Sequence, residues 1–157
     1  MSARSIFEST PLGAMVQFSD GTPRPPARFS RKLAAWENKN NGGRLVRKVP
    51  ARTVGNYTSP ASFTLHQGDF GSGGVVVLKI FKTFSVDSAL TFAVVERPAP
   101  GTIRVLNQPG ENGELVHLAG NRGDAETWLK SHGYPNAVLD EVIDDDRAPT
   151  SLDGRAA

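Results

Sequence analysis

Residues 62–118, SFTLHQGDFGSGGVVVLKIFKTFSVDSALTFAVVERPAPGTIRVLNQPGENGELVHL, decide the fold. β-branched and aromatic residues come here in short runs, and each run ends in Gly, Pro, Asn or Asp. Runs of this composition are typical of strands, and the residues between them are typical of turns. The stretch therefore predicts an antiparallel sheet of about five to six strands in a meander-like order.

The longest run, residues 75–84, is largely apolar on both of its alternating faces. This pattern favours a central strand that is covered on two sides. The glycine-rich residues 68–74 before it predict a hairpin turn. Their composition is also that of a phosphate-binding loop, but such a loop needs a helix after its glycines, and here a strand pattern follows.

The C-terminal part predicts a helix and then a strand. Residues 125–132 have apolar positions at helical spacing, with Asp124 as the expected N-cap, and residues 137–143 predict the last strand. Residues 144–157 contain three consecutive Asp and little that can be buried, so they are expected to be disordered. A helix packed on an antiparallel sheet makes the predicted fold class α+β.

The first residues of the chain carry weaker signals. Residues 1–13 show no periodicity and predict a mobile lead-in, and residues 14–18 predict a short strand. The Pro-rich residues 23–26 predict a stiff extended linker, because each Pro fixes its own φ and restricts its predecessor.

A short basic helix is predicted next. Ser30 is the expected N-cap of a helix of about ten residues, which the residues 40–43, Asn-Asn-Gly-Gly, would end as a turn. Residues 44–49 alternate apolar and charged side chains before a Pro, which favours an edge strand. The predicted organisation is a basic N-terminal extension over residues 1–61, an α+β core domain over 62–143 and an acidic tail over 144–157.

The composition limits the classes of function. The 157 residues suit one domain, and the absence of Cys excludes disulfides, thiolate metal sites and a cysteine nucleophile. No apolar run is long enough for a membrane span or a signal-peptide core, so we expect a cytoplasmic protein that does not bind membranes. No motif predicts a metal or an organic cofactor.

The charge is unevenly distributed along the chain. Residues 1–61 hold ten Lys and Arg against three acids, a balance of +7, and since the total is +2 the remainder carries −5. A cationic segment of this kind is typical of proteins that contact phosphates or another polyanion. The predicted nucleic-acid-binding residues are Arg24, Arg28, Arg31, Lys32, Trp36, Lys39, Arg44, Arg47, Lys48 and Arg52.

The leading hypothesis is a non-enzymatic, nucleic-acid-associated accessory protein, a layout that suits a small bacterial factor. The cations would bind the phosphate backbone of DNA or RNA, and Trp36 would stack on an unpaired base. In the alternative, the β domain and the N-terminal segment form a protein-interaction or assembly module, with a partner protein or a second copy of the chain. A third hypothesis is a hydrolase that uses His66, Asp69 and His117.

Overall fold

The computed structural model describes residues 1–72 and 75–143, and for residues 68–72 and 75–79 it describes the backbone alone. The helices in these ranges are α1 (Ala3–Ser9), α2 (Ser30–Glu37) and α3 (Arg122–Lys130). The strands are β1 (Met15–Ser19), β2 (Asn41–Val49), β3 (Arg52–Val54), β4 (Tyr57–Ser59), β5 (Ser62–Ser72), β6 (Val75–Ser85), β7 (Thr91–Glu96), β8 (Ile103–Leu106), β9 (Leu115–Ala119) and β10 (Val138–Glu141).

The strands form three antiparallel sheets. A five-stranded sheet has the order β6-β5-β2-β1-β7, a three-stranded sheet has the order β10-β8-β9, and β3 and β4 form a separate hairpin. Helix α3 packs on the three-stranded sheet, where Ala125 and Trp128 contact a core that includes Ile103 and Val105. The predicted α+β class, with an antiparallel sheet and a packed C-terminal helix, is confirmed.

The main core lies on one face of the five-stranded sheet and is rich in Phe. The rings of Phe18, Phe63, Phe84 and Phe92 contact one another with centroid separations from 4.9 to 6.4 Å. Tilted and edge-to-face pairs at these distances add to the stabilisation that burial of the rings provides. Helix α1 covers this face and contributes the fully buried Ile6.

The prediction of a mobile lead-in over residues 1–13 is wrong, because α1 forms there. The Ser2 side chain caps the helix by accepting a hydrogen bond from the Ser5 N–H at 3.2 Å. The amino group of Met1 donates to the Phe92 carbonyl at 2.7 Å, and the Phe92 N–H donates to the Met1 carbonyl at 2.7 Å. A seven-residue helix is too short to show periodicity in the sequence. The residue that holds the start of this segment, Phe92, is 91 residues away in the chain, so no local pattern predicts the contact.

Strand β2 corrects two predictions. It pairs with β1 on one side and β5 on the other, so it is an internal strand and not an edge strand. It also begins at Asn41, so Gly42 and Gly43 belong to the strand and do not form a turn. A Cβ on Gly42 would lie 2.7 Å from the Val16 carbonyl oxygen, so this glycine is required for close approach of two backbones.

The bounds of α2, β5 and α3 also differ from the predicted ones. Helix α2 is eight residues long and its N-cap is Phe29, with Ser30 already inside the helix. Strand β5 continues to Ser72, through most of the predicted turn at 68–74, whose Gly73 and Gly74 lie outside the described residues. The α3 N-cap is Asn121, whose Oδ1 accepts from the Asp124 N–H at 2.8 Å, and Asp124 is three residues inside.

The five-stranded sheet combines strands from both predicted segments. β1 and β2 come from residues 1–61, and β5, β6 and β7 come from residues 62–143. The predicted tail at 144–157 lies outside the described residues. Within the described ranges, no helix has the length and apolar character that a membrane span requires.

Candidate nucleic-acid interface

The connection between β1 and β2, residues 20–40, holds the densest group of exposed cations, and we call it the basic arm. It contains the Pro-rich segment and α2, and its acids are Asp20 and Glu37. Its five cations are all exposed to solvent: Arg24, Arg28, Arg31, Lys32 and Lys39. With Trp36, six of the ten predicted nucleic-acid-binding residues therefore lie on one surface connection.

Asn40 closes the arm at its base. Its Oδ1 accepts from the Ser19 hydroxyl at 2.7 Å and from the Asp20 N–H at 3.2 Å. Its Nδ2 donates to Asp20 Oδ1 at 3.0 Å and to the Trp36 carbonyl at 2.9 Å. One amide side chain therefore connects the end of β1 to the end of α2.

Asp20 remains ionised within this network. Its pKa is lowered to about 2, mainly because its carboxylate accepts from the Thr22 hydroxyl, at 2.6 Å, and from the Thr22 N–H, at 3.0 Å. The Asn40 amide and the charge of Lys39 lower the pKa further. Hydrogen bonds at the base of the arm therefore stabilise this carboxylate in its charged form.

Trp36 supports the arm from within. Its Nε1 donates to the Thr22 carbonyl at 3.0 Å, and its side chain is half-buried. The ring borders a cleft of about 540 Å³ that is also lined by Gly42, Gly43 and Val95. The structure thus gives Trp36 a contact that holds α2 to the start of the arm.

Phe29 is an exposed aromatic residue that the sequence analysis missed. It is 41% exposed. The Arg28 guanidinium carbon lies 4.8 Å from the centroid of its ring, and Lys32 Nζ lies 5.2 Å from it. The signal in the sequence is the run Arg28-Phe29-Ser30-Arg31-Lys32, in which an aromatic residue stands among cations.

No cation of the arm forms an ion pair with a carboxylate in the part of the chain that the structure describes. The ion pairs seen there are Arg4 with Asp87, at 3.4 Å, and Arg104 with Asp140, at 2.7 Å. The arm is also held to the sheet through a backbone carbonyl, since Lys82 Nζ donates to the Asn38 oxygen. Its own positive charges face solvent.

The three predicted residues on β2 have other surroundings. Arg44, Arg47 and Lys48 are half-buried, and Arg44 Nη1 donates to the Gly13 carbonyl at 2.7 Å. Lys48 Nζ lies 5.9 Å from the centroid of the Phe7 ring. Burial lowers the pKa of Lys48, and the charge of Arg104 lowers it further. The structure does not bring these cations together with the exposed group on the arm.

Arg52 lies on the β3–β4 hairpin, beyond the other end of β2. Nine residues of β2 separate the arm from the segment that leads to this hairpin. A strand of that length spans about 30 Å. Arg52 therefore follows the opposite end of β2 from the arm.

His66 and His117 line the same cleft, which has a volume of about 290 Å³. The His117 ring stacks on Trp128 with a centroid separation of 4.5 Å. The side chain of Asp69, the third residue of the hydrolase hypothesis, lies outside what the structure describes. No group of three or more His, Asp or Glu within the described part of the chain could hold a metal ion.

A family model matches residues 1–146, which is almost the whole chain. The chain belongs to the family described as Uncharacterised conserved protein UCP036055. The match includes the basic arm, the hairpin and both larger sheets. No significant match to the chain is found among curated proteins or among solved structures.

Proposed function

We propose that the protein binds nucleic acid through the basic arm and has an accessory, non-enzymatic role. The observation that supports the proposal is the surface of the arm. Five exposed cations on one connection form no ion pair with a described carboxylate, and two of them, Arg28 and Lys32, lie beside the exposed ring of Phe29. These cations would displace the counterions condensed on the phosphates of a nucleic acid, which makes binding favourable and dependent on salt.

The arm is suited to single strands because it offers two kinds of contact. The guanidinium and ammonium groups bind phosphates, and the Phe29 ring offers a face on which an unpaired base can stack. If all five cations bind phosphates, the logarithm of the binding constant falls with the logarithm of salt concentration with a slope of about −3.5. The proposal places the protein in the cytoplasm, where it would meet both DNA and RNA.

A pair of matched double variants tests the proposal. Arg31→Glu with Lys32→Glu reverses two charges on the arm, and Arg122→Glu with Lys130→Glu reverses two exposed charges on α3. Both change the net charge by the same amount. Fluorescence anisotropy with a labelled oligonucleotide should show that the arm variant binds at least about tenfold more weakly at low salt, and that the α3 variant binds as the wild type does. Equal effects of the two variants, or no effect of either, would remove the proposal.

The contribution of Phe29 can be measured separately. Phe29→Ala should weaken binding to a single strand by about 1 to 3 kcal/mol, the range found for stacked bases. Its salt dependence should stay that of the wild type, because no charge is removed. A fall in affinity for duplex and single strand alike would show that the ring does not distinguish unpaired bases.

A second candidate function is self-association through the β3–β4 hairpin. Val54 and Tyr57 pair across this hairpin and are 68% and 67% exposed. Exposed apolar side chains on a projecting hairpin are typical of contact surfaces between proteins. Light scattering should then show a concentration-dependent dimer that Val54→Ser with Tyr57→Ser converts to a monomer. A wild-type monomer at every concentration would exclude self-association.

A further inference from the structure

A cleft separates the two larger sheets on the side away from the Phe-rich core. The five-stranded sheet contributes Arg44, Val46 and His66, and β9 contributes Leu115, His117 and Leu118. Its volume of about 290 Å³ is at the lower end of the range of small-molecule pockets. The cleft is separate from the arm, so what it binds does not depend on the proposed function.

Arg44 gives the cleft its charge. Its side chain is half-buried, and its Nη1 donates to the Gly13 carbonyl at 2.7 Å. Gly13 lies against the cleft wall, since a Cβ built on it would contact Leu118 Cδ2 at 3.4 Å. Within the described residues, Arg44 forms no ion pair with a carboxylate. A guanidinium that is partly removed from water without a counter-charge favours an anion beside it.

Two imidazoles stand near this guanidinium. His66 is the cross-strand partner of Arg44 in the β2–β5 pair, and directly paired residues have Cβ atoms about 5 Å apart. His117 reaches the cleft from β9, with its ring parallel to Trp128 within 4°. The remaining walls, Val46, Leu115 and Leu118, are apolar.

We propose that this cleft binds a small organic anion, a monocarboxylate on a compact apolar body. Arg44 would bind the carboxylate, His66 and His117 would lie beside it, and Val46, Leu115 and Leu118 would contact the apolar part. A fully hydrated inorganic anion would gain little from the apolar walls, so an organic acid is the better match in chemistry.

Benzoate is a suitable probe, with benzamide as the neutral molecule of the same shape. An amide-proton NMR titration of the full chain should show benzoate binding with a Kd of about 1 mM or tighter. Shift changes should concentrate on β2 and β9. Benzamide should bind at least about tenfold more weakly, because it lacks the charge that Arg44 recognises. Inorganic phosphate should also bind more weakly than benzoate.

Two variants locate the site. Arg44→Gln should weaken benzoate binding about tenfold or more, and Arg44→Lys should recover part of the loss because it keeps the charge without the planar fork. If Arg44→Gln fails to fold, the comparison of benzoate with benzamide on the wild-type protein still decides the question. Equal binding of the two probes, absence of benzoate binding, or shift changes confined to the arm would overturn the proposal.

Discussion

Asn40 and Asp20 join the two ends of the basic arm, with Asn40 Nδ2 donating to Asp20 Oδ1 at 3.0 Å. The same amide accepts from Ser19 and donates to the carbonyl of Trp36. Closing a loop costs conformational entropy, and hydrogen bonds at its base offset part of that cost. The arm is therefore a connection with a defined base and an exposed, cationic outer part.

Asn40→Ala should release the base of the arm. The variant loses four hydrogen bonds of a half-buried side chain, so we expect the free energy of unfolding to fall by about 1 to 2 kcal/mol. Trypsin should also cleave the arm faster at its arginines. Asn38→Ala is the control, since the Asn38 side chain is exposed and its contact to Lys82 uses the backbone. Equal stability and cleavage in the two variants would contradict the anchoring role.

The arm should loosen in acid because of Asp20. The folded pKa of about 2 is below the ordinary value of 3.8, so in this interval the unfolded chain binds a proton that the folded arm does not. The contribution of Asp20 to stability is present above pH 3.8 and is lost as the pH falls toward 2. An NMR titration of the carboxyl group measures this pKa.

Thr22→Val tests directly which hydrogen bond lowers the pKa of Asp20. The Thr22 hydroxyl bond is the largest cause of the lowered pKa, so its removal should raise the pKa of Asp20 toward 3.8. The Thr22 N–H bond is retained in this variant. A pKa of about 2 in Thr22→Val would show that other contacts hold the carboxylate.

Gly43→Ala should destabilise the five-stranded sheet. The added Cβ would lie 2.7 Å from the His66 carbonyl oxygen, which is backbone in the neighbouring strand and cannot rotate away. We expect a loss of about 1 to 3 kcal/mol in urea unfolding. Gly133→Ala is the matched control, because a Cβ there meets nothing within 4 Å. A loss for Gly43→Ala that is no larger than the loss for Gly133→Ala would mean that β2 and β5 move apart easily enough to admit the added Cβ.

His117 should make the fold less stable as the pH falls. Burial lowers its pKa below 6.5, and the charge of His132 lowers it further. Below pH 6.5 the unfolded chain therefore takes up a proton that folded His117 resists, and stability decreases until the pH passes the folded pKa. Thermal unfolding of His117→Gln should show a smaller decrease between about pH 7 and pH 5 than the wild type.

His132→Gln separates the two causes of this effect. The variant removes the neighbouring charge and leaves the half-buried His117 ring stacked on Trp128. The pKa of His117, followed by NMR, should rise slightly and stay below 6.5. A return of the pKa to 6.5 would show that the charge of His132, and not burial, is the main cause.

The α+β class could be predicted because its signals are local. Alternating apolar residues and turn residues predicted most of the strands near their observed positions, and the helical spacing around Trp128 predicted α3. Gly42 and Gly43 were placed in a turn because glycine is common there. Their role depends instead on carbonyl groups of Val16 and His66 in two neighbouring strands, and no local pattern shows those contacts.

The same limit applies to the candidate sites. The sequence by itself determined the excess of positive charge in residues 1–61 and the presence of strands and helices, since both follow from residue type and short-range spacing. Only the tertiary structure decided that Phe29 is exposed, while Arg44 is half-buried in a cleft with His66 and His117. Burial and the pairing of distant strands depend on contacts between residues far apart in the chain, and one-dimensional spacing does not contain them.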